Sequence, residues 1–347
     1  HDTPGKSLID FNRAGVPLME LVTEPVIHSA EEAMNFAKEL QLLLQYLNVS
    51  NANMEKGEMR VEVNLSISKD DKFGTKVEVK NLNSFRSVGR AIEYEYKRQV
   101  DLLEKGDKVK QETRGWDENK NITFSQRSKE NADDYRYFPD PDLPKLIISE
   151  IPDFNREVLE KLLPELPIQK RERFMSVFGL KVEDIEFYIN NKFYSDFFER
   201  VVSNLSNKEL IKTASNYITS DLVGISKGLT GDISLGNLSD KEFSLLMEMI
   251  GKGDISSRGA KDILKIMFEE GGNPEDIANK NNLIQKNNTE ELTLIIKKTI
   301  ENNPSVVEEY KSGKESVLQF FVGQGMKETK GSANPEILKK IIIDLLK

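Results

Sequence analysis

Cysteine is absent from the 347 residues of the chain, and histidine occurs only as His1 and His28. Without cysteine there are no disulfides, thiolate nucleophiles or cysteine-ligated zinc sites, and two histidines leave little for a histidine metal site or a Ser-His-Asp triad. Long apolar runs are absent too, because the longest, from Lys339 to Leu346, is broken by Asp344 and is shorter than the roughly 20 residues of a membrane span. No signal peptide is recognisable, so we expect a cytoplasmic protein with no membrane partner.

The chain also lacks a strong excess of charge of either sign. It has 49 Lys and Arg against 58 Asp and Glu, a net charge of −9. A net acidic chain does not bind nucleic acid indiscriminately, but the average can hide a local basic surface. The hydrophobic fraction of 38% is enough for a sizeable core. At roughly 100 to 200 residues per domain, the length predicts two or three domains.

The first residue is His1 rather than methionine, and densely patterned sequence is already present at Leu8. We therefore expect the sequence to be part of a longer protein and to lack an upstream segment.

Residues 1–148 combine helix and strand signals. Ser29 and Glu32 form a capping box before an apolar helical repeat that predicts a helix over about 30–47. Alternating residues over 60–67 and 76–80 predict two antiparallel strands, each with one buried and one polar face. A further helix is predicted over 86–104, ending before Gly106.

Three prolines within residues 138–144 predict an extended connector, after which the pattern is helical. We divide this part into a helical domain, 149–278, with a break at 224–236, and a small helical tail, 279–347. Asn334 is predicted to cap the last helix, with Pro335 at its first position. The predicted fold class is multidomain α+β, in which a mixed α/β domain precedes an all-α domain and a small all-α tail.

The polar face of the strand pair is the first candidate site. It carries Arg60, Glu62, Asn64, Glu78 and Lys80, and Asn81 and Asn83 follow at once. Such a face is ordinarily solvated and crossed by ion pairs. Carboxylate and amide oxygens beside cations also suit magnesium and phosphate, so the pattern alone leaves both interpretations open.

The C-terminal 25 residues form the second candidate, because there the charge balance reverses. Residues 323–347 hold five lysines and three acidic residues. The glycine-rich stretch 323–334 is predicted to be a loop before a capped helix. Its amides and lysines suit a phosphate backbone, although a simple connection between helices explains the pattern as well.

Several longer stretches resemble one family, the GatB family of B subunits of aspartyl/glutamyl-tRNA(Asn/Gln) amidotransferases. The most specific is Ile9-Asp-Phe-Asn-Arg-Ala-Gly-Val-Pro-Leu-Met-Glu-Leu-Val-Thr-Glu-Pro25. The similarity continues, in order, through residues 53–60, 79–85, 111–114 and 133–144, and residues 323–335 resemble the tail shared with YqeY-like proteins.

The resemblance implies a cradle-shaped α/β domain that binds ATP and Mg²⁺. This domain would phosphorylate the side-chain carboxylate of glutamate or aspartate misacylated onto tRNA(Gln) or tRNA(Asn). Ammonia released from glutamine by the A component of the complex, an amidase-type glutaminase, would then displace the phosphate, and the complex would also contain a C component. The chain would thus be part of a ligase that forms carbon–nitrogen bonds with glutamine as the nitrogen donor.

By the same resemblance the polar face becomes the main candidate site. Glu24 and Glu55 are candidate metal ligands or orienting carboxylates, and Arg60, Lys80 and Asn83 are candidate catalytic binders of phosphate and carboxylate. Glu62, Asn64, Glu78 and Asn81 would line the cofactor. Candidate tRNA contacts are Arg258, Lys261, Lys327, Lys330 and Asn334.

One departure from the family pattern affects this site. The family more often has Arg-Cys-Asp-Ala-Asn where this chain has Arg60-Val-Glu-Val-Asn64. The extra methylene of Glu62 displaces the carboxylate by about 1 Å, which makes a direct ligand role at this position doubtful.

Two other functions compete with the amidotransferase. In the first, the chain is a non-catalytic tRNA-binding or scaffold piece of the same complex, and the sequence leaves this alternative open. In the second, the chain is itself the glutaminase, which we reject because cysteine and a Gly/Ser-rich amidase signature are both missing. Family members carry an upstream segment that supplies part of the metal site, so we expect this chain alone not to phosphorylate Glu-tRNA.

Overall fold

A computed structural model gives the structure of the chain and describes residues 11, 15–128, 141–230, 233–285, 289–329 and 333–346. The chain divides into two compact units, His1–Leu166 and Pro167–Lys347. The first unit is mixed α/β, and the described part of the second is helical apart from one isolated bridge between Ile255 and Ile284. The predicted order of a mixed part followed by helices is confirmed, whereas the boundaries at 148 and 278 stay predictions.

The described part of the first unit contains a four-stranded sheet and three α-helices. Its helices are α1 (Ala30–Tyr46), α2 (Phe85–Glu104) and α3 (Arg156–Leu162), and its strands are β1 (Val61–Leu65), β2 (Val77–Leu82), β3 (Glu112–Asp117) and β4 (Ile122–Ser128). Short 3₁₀ turns lie at Ile148–Glu150 and Pro152–Phe154. The predictions of α1, α2 and the first two strands are therefore confirmed, whereas the strands β3 and β4 were not predicted. Residues 138–140 of the proline-rich connector lie outside the described residues, and residues 141–144 are neither helix nor strand.

Local signals explain where the two long helices begin and end. The Ser29 hydroxyl accepts a hydrogen bond from the Glu32 amide, and the Glu32 carboxylate accepts one from the His28 amide, so the first turn of α1 is capped. Ser84 caps α2 in the same way through the Ser87 amide. Beyond the end of α2, Gly106 has a φ of 81°, a left-handed conformation that glycine adopts without strain.

The sheet order is β1-β2-β3-β4, with antiparallel outer pairs and a parallel central pair. The strands β2 and β3 are parallel because α2 crosses between them, which makes β2-α2-β3 a βαβ unit. One face of the sheet, called here the inner face, packs on α2 through a core of Val79, Leu82, Val88, Ala91, Ile92 and Trp116. The opposite face, called the outer face, carries the polar residues of the strand pair.

The helix α1 packs on α2, and its residues Ala30 and Ala33 contact the core that α2 shares with the sheet. Gly89 of α2 permits this close approach, because a Cβ at that position would lie 2.6 Å from the sulfur of Met34. Both long helices thus contact the core on the inner face of the sheet, and neither covers the outer face.

The second unit begins with an aromatic core. Phe174, Phe178, Tyr188 and Phe198 contact one another with ring centroids 4.6 to 5.8 Å apart. Its helices are α4 (Pro167–Ser176), α5 (Val182–Asn190), α6 (Lys192–Asn204), α7 (Leu210–Asn216), α8 (Val223–Thr230), α9 (Asp240–Lys252), α10 (Ser257–Glu270), α11 (Pro274–Lys280), α12 (Thr289–Glu301), α13 (Pro304–Lys311), α14 (Leu318–Glu328) and α15 (Pro335–Leu346). A π-helical stretch, Tyr217–Leu222, joins α7 to α8, and a 3₁₀ turn, Glu315–Val317, precedes α14.

The last helices have a hydrophobic cluster of their own, which includes Leu292, Ile296, Phe321, Leu338 and Ile342. Asn334 caps α15 by accepting the Glu336 amide, with Pro335 at the first helical position, as predicted.

Two predictions about glycine-rich stretches are wrong. The break at 224–236 begins too early, because α8 continues through Gly224 and Gly228 to Thr230. The loop at 323–334 also begins too early, because α14 includes Gly323 and Gly325 and ends at Glu328. Gly325 is helical because Ile296 and Leu338 pack against it, and a Cβ there would lie 2.8 Å from Ile296.

Within the described residues, no helix is long and apolar enough to cross a membrane.

Candidate functional site on the outer face of the sheet

The outer face brings together three of the predicted site residues. Lys80 donates a hydrogen bond to Glu62 with a length of 3.1 Å, and its ammonium nitrogen lies 3.6 Å from the carboxylate of Glu78. The side chains of Glu62 and Lys80 are 45% and 32% exposed, whereas the Glu78 side chain is 14% exposed. A cation therefore lies between two carboxylates, one open to solvent and one largely covered.

The carboxylates keep Lys80 charged. Burial lowers the pKa of Lys80, but the hydrogen bond and negative charge of Glu62, together with the charge of Glu78, raise it further, so that the net pKa lies above 10.5. Lys80 is consequently a cation throughout the physiological pH range, as a phosphate-binding lysine must be.

Thr113 of β3 fixes the more buried carboxylate and was missed by the sequence predictions. Its hydroxyl donates a 2.8 Å hydrogen bond to Glu78, which is its register partner in the parallel pair. Thr113 is buried, with 1% of its surface exposed. No sequence signal predicted this contact, because parallel strands are joined by long crossovers whose register leaves no short-range pattern.

Asn81 has a structural reason for its position. The register between β1 and β2 shifts between Val61 and Val63, so that Lys80 and Asn81 together oppose Glu62. Asn81 has a φ of 65°, and asparagine tolerates this left-handed conformation better than most residues. The asparagine that suggested a ligand thus also forms a β-bulge, a feature that is frequent next to active sites. Its predicted cofactor contact stays a prediction.

The other predicted site residues do not join this network within the described residues. Glu24 lies exposed in the extended segment before α1, Glu55 lies exposed in the turn between α1 and β1, and Arg60 directly precedes β1. Asn83 is exposed next to the cap of α2, and Asn64 is exposed on β1. No hydrogen bond or ion pair within the described ranges links these five side chains to Lys80. Nor do the described residues gather three acidic or histidine side chains suited to a metal ion.

The inner face carries a second charged cluster, in which Glu95 of α2 is central. The Glu95 side chain is completely buried and accepts hydrogen bonds from Arg98, Gln99 and Thr123. Arg114 of β3 lies 3.4 Å from the same carboxylate and also pairs with Glu112. The hydrogen bond and charge of Glu95 outweigh burial and raise the pKa of Arg98. We call these residues, Glu95, Arg98, Gln99, Glu112, Arg114, Thr123 and Ser125, the inner cluster.

Helical spacing could have located part of the inner cluster. Val88, Ala91 and Ile92 define the buried stripe of α2, and the same stripe continues to Glu95 and Gln99. A carboxylate on an apolar stripe requires a buried partner, because a buried charge without one is very costly. The partner on β3 was not predictable, since that strand itself was not predicted.

The candidate tRNA contacts lie in the second unit. Arg258 and Lys261 are exposed on α10, and Lys261 pairs with Asp221 at 2.7 Å. Lys327 is exposed near the end of α14, and the side-chain oxygen of Asn334 is used as a helix cap. Lys330 lies outside the described residues. Binding of Lys261 to a phosphate would therefore replace an existing ion pair, and Asn334 has a structural role whether or not it contacts RNA.

Comparison with known proteins adds two family matches. Residues 1–151 match the family model described as the GatB/GatE catalytic domain, and residues 196–346 match the one described as the GatB domain. Three curated relatives are each named as the B subunit of aspartyl/glutamyl-tRNA(Asn/Gln) amidotransferase. The protein of Caldicellulosiruptor bescii is 43% identical over 97% of this chain and 70% of its own length. That of Persephonella marina is 43% identical over 98% and 71%, and that of Crocosphaera subtropica is 41% identical over 98% and 68%.

Proposed function

The chain belongs to the GatB family of tRNA amidotransferase B subunits, and we propose that it catalyses the ATP-dependent amidation of glutamate or aspartate carried on tRNA. The observation that supports this most is the outer face. It holds a lysine between two carboxylates, on strands that lie within the region matching the catalytic-domain model.

The proposed reaction has two steps. In the first, a carboxylate oxygen of the aminoacyl side chain attacks the γ-phosphorus of ATP, the bond from that phosphorus to the bridging oxygen breaks, and ADP leaves. In the second, ammonia attacks the carbonyl carbon of the acyl phosphate, inorganic phosphate leaves, and a proton is lost to solvent. Neither step needs a protein nucleophile, which is consistent with a chain that has no cysteine.

The chain's own residues would bind and orient the reactants. Lys80 would supply a positive charge for phosphate oxygens, and Arg60, just before β1, and Asn83, just after β2, would bind the substrate carboxylate. Lys80 can exchange Glu62 for phosphate at little cost, because ion pairs that are partly exposed contribute about 0 to 1 kcal/mol. Thr113 keeps Glu78 in place during that exchange.

Magnesium fits the donor chemistry of this face. Mg²⁺ in phosphate sites takes one or two carboxylates together with the phosphates of the substrate, and Glu62, Glu78 and Asn64 offer such oxygens. When bound, the ion would neutralise phosphate charge. Glu24 and Glu55 remain candidate ligands of the same ion.

The proposal includes the partners. Ammonia would come from the glutaminase, the A component, and the complex would be completed by the C component. The tRNA, either tRNA(Gln) or tRNA(Asn), would lie along the basic residues Arg258, Lys261, Lys327 and Lys330, with Asn334 nearby. A cytoplasmic location remains an expectation from composition.

The test is amidation of Glu-tRNA(Gln) and Asp-tRNA(Asn) by an intact B component that contains this chain, combined with the A and C components. Lys80→Ala is compared with Lys76→Ala, which removes an exposed lysine just before β2. Removing a charge that stabilises the transition state is expected to lower kcat by about 100-fold to 1,000-fold in Lys80→Ala. Lys76→Ala is expected to match the wild type.

Two results would contradict the proposal. Equal activity of Lys80→Ala and Lys76→Ala would remove the outer face from catalysis. Tight tRNA binding by the wild-type complex without any consumption of ATP would favour the scaffold alternative. Because this chain alone is expected to be inactive, the same assay also compares the intact B component with this chain.

A further inference from the structure

A turn over residues 52–58 carries Glu55 and leads into Arg60 and β1. The turn is closed by its own hydrogen bonds: the Asn53 amide donates to the Glu58 carboxylate at 3.1 Å, the Glu58 amide donates to the Asn53 carbonyl at 3.0 Å, and the Lys56 amide donates to the Asn53 side chain at 3.0 Å. Such a closed turn moves as one piece, so its position depends on what holds its two ends.

The end next to β1 is held by the sheet, because Val61 pairs with Leu82 of β2. The other end passes through Ala52, which has a φ of 49° and is completely buried. Residues with a Cβ rarely adopt this left-handed conformation, and it persists only where the surroundings enforce it. Ala52 is therefore the point at which the turn needs external support.

Two glutamines of α1 provide that support. The side-chain amide of Gln41 donates a 2.7 Å hydrogen bond to the carbonyl of Ala52, and that of Gln45, one helical turn later, donates a 2.8 Å hydrogen bond to the carbonyl of Asn51. The Ala52 amide donates to the Ser50 hydroxyl at 2.9 Å. Both peptide groups that flank the left-handed residue are thus held by side chains.

We propose that Gln41 and Gln45 are positioning residues that hold the 52–58 turn, and with it Glu55 and Arg60, at the edge of the outer face. Neither glutamine needs to touch the reactants. Gln41 is half-buried and donates its hydrogen bond to the strained residue itself, whereas Gln45 is exposed. Gln41 therefore contributes more than Gln45 to holding the turn. The role in catalysis rests on the proposed function, but the holding of the turn does not.

The experiment compares four intact B components that contain this chain, in complex with the A and C components: wild type, Gln41→Met, Gln41→Lys and Asn35→Leu. Methionine has the length of glutamine but no N–H donor, whereas lysine can still donate to the Ala52 carbonyl. Asn35 is an exposed amide on the same helix and serves as the control. Amide hydrogen exchange over residues 53–58 and the kinetics of ATP-dependent amidation are measured.

Faster exchange over residues 53–58 is expected in Gln41→Met only. Its kcat is expected to fall between about 10-fold and 100-fold, because a misplacement of about 1 Å can cost 100-fold. KM for tRNA and the thermal midpoint are expected to match those of Asn35→Leu, which separates positioning from a general loss of stability. Gln41→Lys is expected to restore both exchange and kcat.

Each result has one meaning. Unchanged exchange in Gln41→Met would overturn the inference, as would a fall in kcat that Gln41→Lys does not restore. If exchange responds as expected but the wild-type complex has no amidation activity, the proposed function fails while the hold on the turn stands.

Discussion

The two faces of the four-stranded sheet carry similar charged side chains in opposite surroundings. On the outer face, Glu62 and Lys80 form an ion pair with 45% and 32% of their side chains exposed. On the inner face, the Glu95 carboxylate is completely buried, and Arg98 and Arg114 beside it are 20% and 12% exposed. The same kind of ion pair therefore faces solvent on the outer face and lies between α2 and the sheet on the inner face.

This difference separates binding from stability. A partly exposed pair contributes little to folding and can exchange partners, so its charges are available to a substrate. A buried pair has lost its hydration and is costly to break, because the remaining partner is left as an uncompensated charge. The outer face is consequently suited to a site, and the inner cluster to holding α2 on β3 and β4. Three substitutions test this contrast, in order of decreasing expected effect on stability.

Glu95→Ala is expected to lower the free energy of unfolding by about 3 to 5 kcal/mol, because it leaves two arginines of the inner cluster without their shared carboxylate. Trp116 is the only tryptophan of the chain and lies buried in β3. Its fluorescence during urea denaturation therefore reports on the first unit alone.

The control for this variant is Glu93→Ala, which removes an exposed carboxylate from the same helix. It is expected to stay within about 0.5 kcal/mol of the wild type. A loss of unfolding free energy in Glu95→Ala no larger than that in Glu93→Ala would contradict a stabilising role for the inner cluster.

Glu112→Gln is expected to lower stability by about 1 to 2 kcal/mol near neutral pH, through weaker bonds to Arg114 and Ser125. Burial raises the pKa of Glu112, but these bonds lower it further, so that the net pKa lies below 4.5. A carboxyl with a depressed pKa stabilises the fold above its unfolded pKa and loses that contribution as the pH falls through the folded value.

The difference in the free energy of unfolding between wild type and Glu112→Gln is therefore expected to be largest above pH 4.5. It is expected to shrink as the pH falls through the lowered pKa of Glu112. Urea titrations followed by Trp116 at several pH values measure it. A difference that stays constant down to pH 3 would show that the ionised form of Glu112 is not what stabilises the native state.

Glu62→Gln on the outer face is expected to change the free energy of unfolding by less than about 1 kcal/mol, because its pair with Lys80 is open to solvent. The same urea titration is used. A loss comparable with that of Glu95→Ala would remove the distinction between the two faces, since the outer pair would then also be a structural one.

Much of the local structure was predictable. The capping residues Ser29 and Asn334 and the helical repeat that follows each of them predict α1 and the start of α15, because caps and amphipathic stripes act within a few residues. The alternation in β1 and β2 predicts their antiparallel pairing and places Glu62 and Lys80 on one face. These parts of the candidate site follow from short-range pattern.

The glycine-rich stretches show where pattern fails. Glycine is usually unfavourable inside a helix. Gly325 nevertheless lies within α14, because Ile296 and Leu338 occupy the space that a side chain at this position would need. The strands β3 and β4 were overlooked because β3 contains Glu112, Arg114 and Gly115, which do not form an apolar alternation.

The sequence by itself determined the long helices of the first unit, the first strand pair and the family, because each depends on neighbouring residues or on stretches read directly. Only the tertiary structure decided that Thr113, 35 residues away, holds Glu78, and that Glu95 lies buried among arginines. It likewise decided that Gln41 reaches across to the carbonyl of Ala52. Contacts of this kind depend on how α2 crosses from β2 to β3 and how α1 packs against α2, and no local pattern specifies such packing.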